Sequence, residues 1–251
     1  MAQVINSKDN QLIKLASSLN EKKYRKLHAL ALLEGVKIID EAIKTNQIFY
    51  KLFIDENKTE EYKNYLHQVE CEVVYVNSKL IETISPSQTP QGVVAIIKTR
   101  SFEPMVIGGN FLVLDNVQDP GNLGTIIRTA DWFGIQNIVC SESCVDIYNP
   151  KVVQATMGSI FRLNVLVTSL ADFFKENNQL CVYGALLEGE NCFATRFQQS
   201  HLVLLMGNEG AGISPKLFPY ITKKITIPKL GHAESLNVGI ATGILCAEMT
   251  K

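Results

Sequence analysis

The sequence predicts an α/β protein made of two units. Three observations carry this. Strand-type apolar runs alternate with segments of helical periodicity along almost the whole chain. Over 251 residues, 46% are apolar, enough for one large or two small cores. The alternation is broken once, at "RSFEPMVIGGN" (100–110), where Pro104 and the Gly108-Gly109 pair punctuate the chain. The expected organisation is a unit over 1–100, a linker over 101–110 and a unit over 111–251.

In the first unit, Leu12, Leu15, Ala16 and Leu19 follow helical spacing. "ALALLEG" then reads as strand, "VKIIDEAIKT" as helix and "IFYKLFIDE" as strand. "TEEYKNYLHQV" reads as helix, "EVVYVNS" as strand, "SKLIETIS" as helix and "GVVAIIKT" as strand, giving an α/β unit of about four strands. Net charge is −1, so no global basic field announces a nucleic-acid partner. Residues 1–30 nevertheless carry six basic residues (Lys8, Lys14, Lys22, Lys23, Arg25, Lys26) against two acidic ones (Asp9, Glu21). A solvated helix face and a polyanion contact both explain such an excess.

In the second unit, strands are expected at "FLVLDNV", "NIVCSES", "LNVLVTS", "LCVYGALL", "HLVLLMG" and "KKITIP". Helices are expected over 122–133, 151–158, 170–176, 215–221 and 236–249. Strict alternation argues for a mostly parallel sheet covered on both faces, with ligands at the carboxyl ends of its strands. Three loops rich in Gly, Asn and acid fall there: 119–124, 207–212 and 231–237.

The first loop opens "DPGNLGTIIRTADWFG". Leu123, Ile126, Ile127 and Ala130 share one helix face, with Phe133 at its edge. Arg128 falls nearly opposite, beside Thr125 and Trp132, where packing does not demand it. It reads as a surface or subunit-interface arginine, or as a guanidinium aimed at a phosphate or a reacting hydroxyl. Asn122 stands where a helix cap belongs. No lysine follows Gly124 and no G-x-G-x-x-G is present, which argues against a nucleoside triphosphate or dinucleotide. In the second loop, "LLMGNEGAGISPKLF", glycines flank Asn208 and Glu209, a carboxylate suited to holding an arginine or a ligand amine. Ser214-Pro215 reads as a helix start. In the third, Ser235 and Asn237 stand at the mouth of a final helix that is apolar nearly all round and is expected to be buried against the sheet or a second subunit. Ser235 fits a cap, and His232 has no evident partner.

Six cysteines lack metal spacing; Cys140 and Cys144 are four apart, with no second pair or nearby histidine, so no metal is expected. The absence of a signal peptide and of a long apolar run leads to an expectation of reduced thiols, a cytoplasmic location and no membrane partner.

Taken together the three loops resemble the SpoU/TrmH family of SPOUT-fold RNA 2′-O-ribose methyltransferases. Asp119-Pro120-Gly121-Asn122-Leu123-Gly124, Arg128-Thr129-Ala130 and Phe133-Gly134 match its first motif. Gly207, Glu209 and Gly212 match the second, and Ile227-Pro228 with Ser235-Leu236-Asn237-Val238 the third. The order and spacing fit over 111–251. The first hundred residues are similar to the family's L30e-like RNA-binding domain by pattern and position.

The resemblance implies a C-terminal SPOUT domain whose mostly parallel sheet threads a trefoil knot, a rare departure from unknotted topology. It implies S-adenosylmethionine bound bent in that knot. Contacts carry over to Gly207, Ile227 and Leu236, with Asn208 and Gly212 in the same loop, and to Leu186 within "GALLEG". It implies a homodimer through the C-terminal domain. The catalytic arginine of the family falls on Arg128, with Asn122, Glu209, Ser235 and Asn237 positioning the arginine, the ribose and the cofactor loops. A guanidinium stays protonated and is a poor base, so binding the target phosphate and polarising the 2′-hydroxyl is the safer role. The expected function is methyl transfer to a ribose 2′-hydroxyl of structured RNA. Ribosomal RNA of the 23S type is favoured over transfer RNA because of the separate N-terminal domain. A transfer-RNA enzyme, a non-catalytic RNA-binding or ribosome assembly factor and a small-molecule-binding α/β protein are the competing readings.

Overall fold

A computed structural model of the chain describes residues 3–100, 109–197 and 202–251. Most of the predicted linker lies outside the described residues. The chain divides into two compact units, Met1–Ser101 with Tyr148–Phe161, and Phe102–Ile147 with Arg162–Lys251.

The first unit holds a five-stranded sheet of β1 (Gln3–Ile5), β2 (Leu30–Glu34), β3 (Phe49–Asp55), β4 (Glu72–Val76) and β5 (Val93–Lys98). Their order is β1-β4-β3-β5-β2. β5 runs antiparallel to both neighbours and the remaining pairs are parallel. The sequence does not reveal β1, whose three residues are too short to show alternation. Helices α1 (Gln11–Ser18), α2 (Lys22–His28), α3 (Val36–Lys44), α4 (Thr59–Tyr62) and α5 (Ser78–Ile84) surround the sheet. Ile13, Leu32, Phe53, Val74, Ile81 and Ile96 fill the core between α1, α5 and the strands.

Two expectations fail in this unit. α2 is not evident from the sequence, because its cations leave no apolar stripe. "TEEYKNYLHQV" is not one helix: the short α4 runs into 3₁₀ winding at Lys63–His67. The Tyr62 hydroxyl donates to the Gln91 carbonyl and the Tyr65 hydroxyl to Asp40 Oδ1, each at 2.7 Å. Anchors three residues apart suit three residues per turn better than 3.6. A helix at Pro150–Thr156, α7 in chain order, groups with this unit, although it lies between strands of the other. The Tyr148 hydroxyl accepts from the Arg100 backbone N–H at 3.0 Å, and the Phe161 carbonyl accepts from the Arg100 guanidinium at 2.9 Å.

The second unit is a six-stranded sheet in which every pairing is parallel. Its strands are β6 (Phe111–Leu114), β7 (Asn137–Ser141), β8 (Asn164–Thr168), β9 (Cys181–Asn191), β10 (Leu202–Met206) and β11 (Lys223–Thr226). The order is β11-β9-β10-β6-β7-β8. From β6 the chain first builds outward through β7 and β8, then returns to build on the other side. The carboxyl ends of β6 and β10 therefore flank the reversal point, where open parallel sheets bind ligands. Leu114 and Met206 are in register, so the loops after both strands leave side by side. Residues 185–189 swell out of the β9–β11 ladder, since Gly184 pairs with Lys224 and Glu190 with Ile225. Helices α6 (Pro120–Trp132), α8 (Leu170–Glu176) and α9 (Val238–Met249) complete the unit. Among the described residues, no helix is long and apolar enough to cross a membrane.

Helix boundaries correct three cap assignments. α6 begins two residues before the predicted start, at Pro120, and its cap is Asp119, whose Oδ1 accepts from the Asn122 N–H at 2.7 Å. Asn122 is thus not a cap, and its side chain is available to bond elsewhere. α9 is capped by Asn237, not Ser235; Asn237 Oδ1 accepts from the Gly239 and Ile240 N–H groups. The 215–221 segment is 3₁₀, and Ser214 makes no side-chain cap; its N–H goes to Asp115 Oδ2 at 2.7 Å. Within the single chain α9 is half-buried, which leaves one face for the sheet side and one for the second subunit that the sequence also allows. Val238, Thr242, Leu245, Cys246 and Met249 face inward, while Leu236 before it and Ile240 on it stay exposed.

Candidate functional site

The site begins where β6 and β10 end. Asp115, almost fully buried, receives the Ser214 N–H and donates its own N–H to the Met206 carbonyl at 2.9 Å. Asn116 follows with φ +59, a left-handed turn that an asparagine tolerates. Its carbonyl accepts from the Asn208 side-chain amide at 2.8 Å. Asn208 is the hub of the second loop: its Oδ1 accepts from the Gly210 and Ala211 N–H groups, and its backbone bridges Gly212. Gly207 admits no side chain, since a Cβ there would lie 2.2 Å from the Gly212 carbonyl carbon. Gly212 has φ +68, so both glycines are required by geometry.

Three of the predicted side chains meet. Asn122 donates to Glu209 Oε1 at 2.5 Å, and Asn237 donates to Asn122 Oδ1 at 2.8 Å. The sequence marks Glu209 as a carboxylate for an arginine or a ligand amine; here it takes an asparagine amide. This chain ties the loop after β10, the first turn of α6 and the cap of α9 to one another. It fixes each amide's orientation, because each amide group has one donor side and one acceptor side. Arg128 does not join it. It stands exposed on α6, and among the described residues it has no hydrogen bond or ion pair. Ser235 is exposed and bonds to none of the other predicted site residues.

Beside this network opens a cavity of about 1080 Å³. Gly207, Asn208, Gly212, Ile227, Leu236 and Leu186 all line it, together with Glu209 and Ser235. Residues 185–189 form one wall, the 207–213 turn another and the 224–231 stretch a third. The wall is apolar and glycine-rich, with carboxylates of Glu188, Glu209 and Glu234 among its groups. Such a cavity can take a flat apolar ring system against backbone, with a cation near the acids.

Sequence reasoning passes over Asp115, Asn116 and the hub role of Asn208. An acid or amide directly after a strand or between glycines is the signal that finds them. Cys140 and Cys144 do approach each other. The Cys144 Sγ accepts from the Val117 N–H at 3.3 Å, anchoring the β6–α6 loop. Hydrogen bonds from Cys140 and Ser141 draw the Cys144 thiol down to about 6, and the same contact with Cys140 raises its partner. No group of three or more His, Cys, Asp or Glu among the described residues is arranged to hold a metal ion.

A knit of three loops at the reversal point of an all-parallel sheet, beside an exposed arginine, is the arrangement of a SPOUT-type transferase. The chain belongs to the SpoU rRNA Methylase family, which matches residues 109–247. Residues 10–95 match the MRM3-like substrate binding domain. The Bacillus subtilis protein named 23S rRNA (guanosine(2553)-2′-O)-methyltransferase RlmP is 30% identical over 243 residues, 96% of each chain. Among solved structures, an AdoMet-bound rRNA methyltransferase from Sinorhizobium meliloti is 32% identical. It has a TM-score of 0.87 over 99% of this chain and 97% of its own. A TrmH-family protein from Porphyromonas gingivalis is 35% identical, with a TM-score of 0.83 over 94% and 96% of the two chains.

Proposed function

We propose that this protein transfers the methyl group of S-adenosylmethionine to a ribose 2′-hydroxyl of ribosomal RNA of the 23S type. The observation that carries this is the Asn237–Asn122–Glu209 chain beside the glycine-walled cavity, with Arg128 exposed on α6 and without an ion pair among the described residues. Similarity to RlmP along almost the whole chain supports ribosomal RNA over transfer RNA.

The cavity fits the cofactor. Gly207 has no room for a Cβ against the Gly212 backbone and Gly212 turns at φ +68, so the loop is drawn tight at the cavity wall, and Leu186, Ile227 and Leu236 offer apolar surface for a purine. Asn208 holds the turn that shapes this wall. Bound there, the cofactor supplies an electrophilic methyl on a sulfonium. Glu209 and the asparagine chain hold the mouth of the site in one geometry, so the incoming hydroxyl meets a preorganised approach line. The Arg128 guanidinium binds the phosphate beside the target ribose and polarises its 2′-hydroxyl. Ser235, at the exposed rim, orients the ribose.

The first unit is the substrate-binding part and the second the transferase. The family's trefoil knot and its homodimer belong to this reading. Exposed Trp132, Leu236 and Ile240 on the α6 and α9 side supply an apolar face for the second copy. Six free cysteines suit the cytosol.

Two measurements test the reading. Calorimetry is expected to detect S-adenosylmethionine binding, and no heat at millimolar ligand refutes the assignment. With labelled cofactor and an unmodified 23S rRNA transcript, label is expected at an alkali-resistant 2′-O-methyl nucleotide. Arg128→Ala is expected to lower kcat by about 10²-fold or more, as for loss of one charge-stabilising donor, with cofactor affinity kept. If transfer survives, Arg128 is structural.

A further inference from the structure

The basic amino end is the feature that the transferase reading leaves unused, and the structure sorts its cations. Arg25 is not a surface charge: it is buried, and its Nη1 donates to the Leu19 and Asn20 carbonyls at 2.8 and 2.9 Å. It caps the end of α1 and pins α2 against the unit in one orientation. Lys14 pairs with Asp9 at 3.1 Å and Lys23 with Glu21 at 3.2 Å. Lys8, Lys22 and Lys26 remain, all exposed, with no ion pair or hydrogen bond among the described residues; Lys22 and Lys26 share α2. Leu27, next to Lys26 on α2, is exposed as well.

Lys26 suits the last turn of α2, but Lys22 does not suit the first. Lys22 is in the first turn, where the helix field repels a cation, and the acid next to it, Glu21 at the N-cap, pairs with Lys23 instead. Lys22 and Lys26 are also four apart, a like-charge pair that disfavours the helix. A solvated face would favour Glu at the first position, making both effects favourable. The chain keeps the costly arrangement on a helix that a buried arginine holds rigid.

We infer that the Lys22–Lys26 edge of α2 is a contact surface for the phosphodiester backbone of the RNA substrate. Two unneutralised cations one helical turn apart can bridge neighbouring phosphates, and Leu27 beside them can lie against a sugar or base. The inference rests on the RNA-methyltransferase reading, and it gives the first unit a defined face toward the substrate.

The test uses the full chain, a 23S rRNA transcript and KCl titration of binding. Lys22→Ala/Lys26→Ala is expected to weaken binding and to flatten the slope of log K against log salt by about 0.7–0.9 for each phosphate no longer neutralised. Cofactor affinity and kcat at saturating RNA are expected to stay unchanged. Lys22→Glu is expected to bind RNA worse while melting at a higher temperature, a split that loss of fold cannot produce. Lys63→Ala, whose lysine is already paired with Glu60, is the control of equal charge change per site. An unchanged slope in the double variant, while wild type binds and methylates, overturns the surface alone. A wild-type chain that binds cofactor but not RNA overturns both readings. Tighter capture of polyglutamate than of RNA by the same lysines overturns the choice of partner.

Discussion

At the scale of single residues, an amide and an acid decide most. Asn122 joins Glu209 and Asn237, so it has to be donor and acceptor at once. Asn122→Asp keeps the shape, loses the donor and sets a second carboxylate beside Glu209. It is expected to lower cofactor affinity about tenfold and to reduce stability by about 1–3 kcal/mol, read by calorimetry and thermal melts. Asn122→Ala is expected to be milder, because it removes the partner without adding a charge. Glu34, at the end of β2, is the opposite case. It is buried, and neither carboxylate oxygen has a hydrogen bond of good geometry, although the Ser85 hydroxyl and the Ser87 and Gln91 backbone lie near it. Burial raises its carboxyl above the ordinary value. The folded chain therefore holds this proton more tightly than the unfolded chain. Its contribution to stability is whole below the unfolded pKa and is lost as pH rises through the raised folded one. Glu34→Gln is expected to raise the melting temperature at pH 8 and to leave it unchanged at pH 4; a lower melting temperature at pH 8 refutes this account of Glu34.

At the scale of elements, the turn after β10 leaves least freedom. Gly207→Ala puts a Cβ into the Gly212 backbone, so it is expected to abolish cofactor binding while the sheet, monitored by circular dichroism, still forms. Elements also differ in how plainly the sequence announces them. The β6–α6 segment is legible because one apolar face repeats cleanly at Leu123, Ile126, Ile127 and Ala130, all buried. The central strands β6, β7 and β10 are legible because a parallel sheet covered on both faces buries every one of their residues. Cap assignments are not. Asp119 and Asn122, like Ser235 and Asn237, are all good caps, and spacing alone does not say which one the backbone selects. α2 is hidden because its orientation comes from the Arg25 guanidinium and two carbonyls, not from an apolar stripe. The lining residues are legible through the motifs, whereas Asp115 and Asn116 act through backbone groups that leave no pattern.

At the scale of the whole molecule, the proposed dimer has a built-in reporter. Trp132 is the single tryptophan, and it is 85% exposed on α6. If a second copy covers the α6 and α9 side, its emission is expected to shift to shorter wavelength as protein concentration rises, and Ile240→Asp is expected to prevent the shift. Emission independent of concentration, with a monomeric mass in solution, refutes the dimer. The bonds of Asn122 have a consequence in time as well. They join positions 87 and 115 residues apart along the chain, among the longest separations that any side-chain bond here spans. Contacts of that kind form slowly, after the local helices and strands. During refolding from denaturant, ellipticity is expected to return first and cofactor affinity last. On this account the refolding chain is expected to pass through a stage that is structured and catalytically silent, and simultaneous return of both signals refutes it.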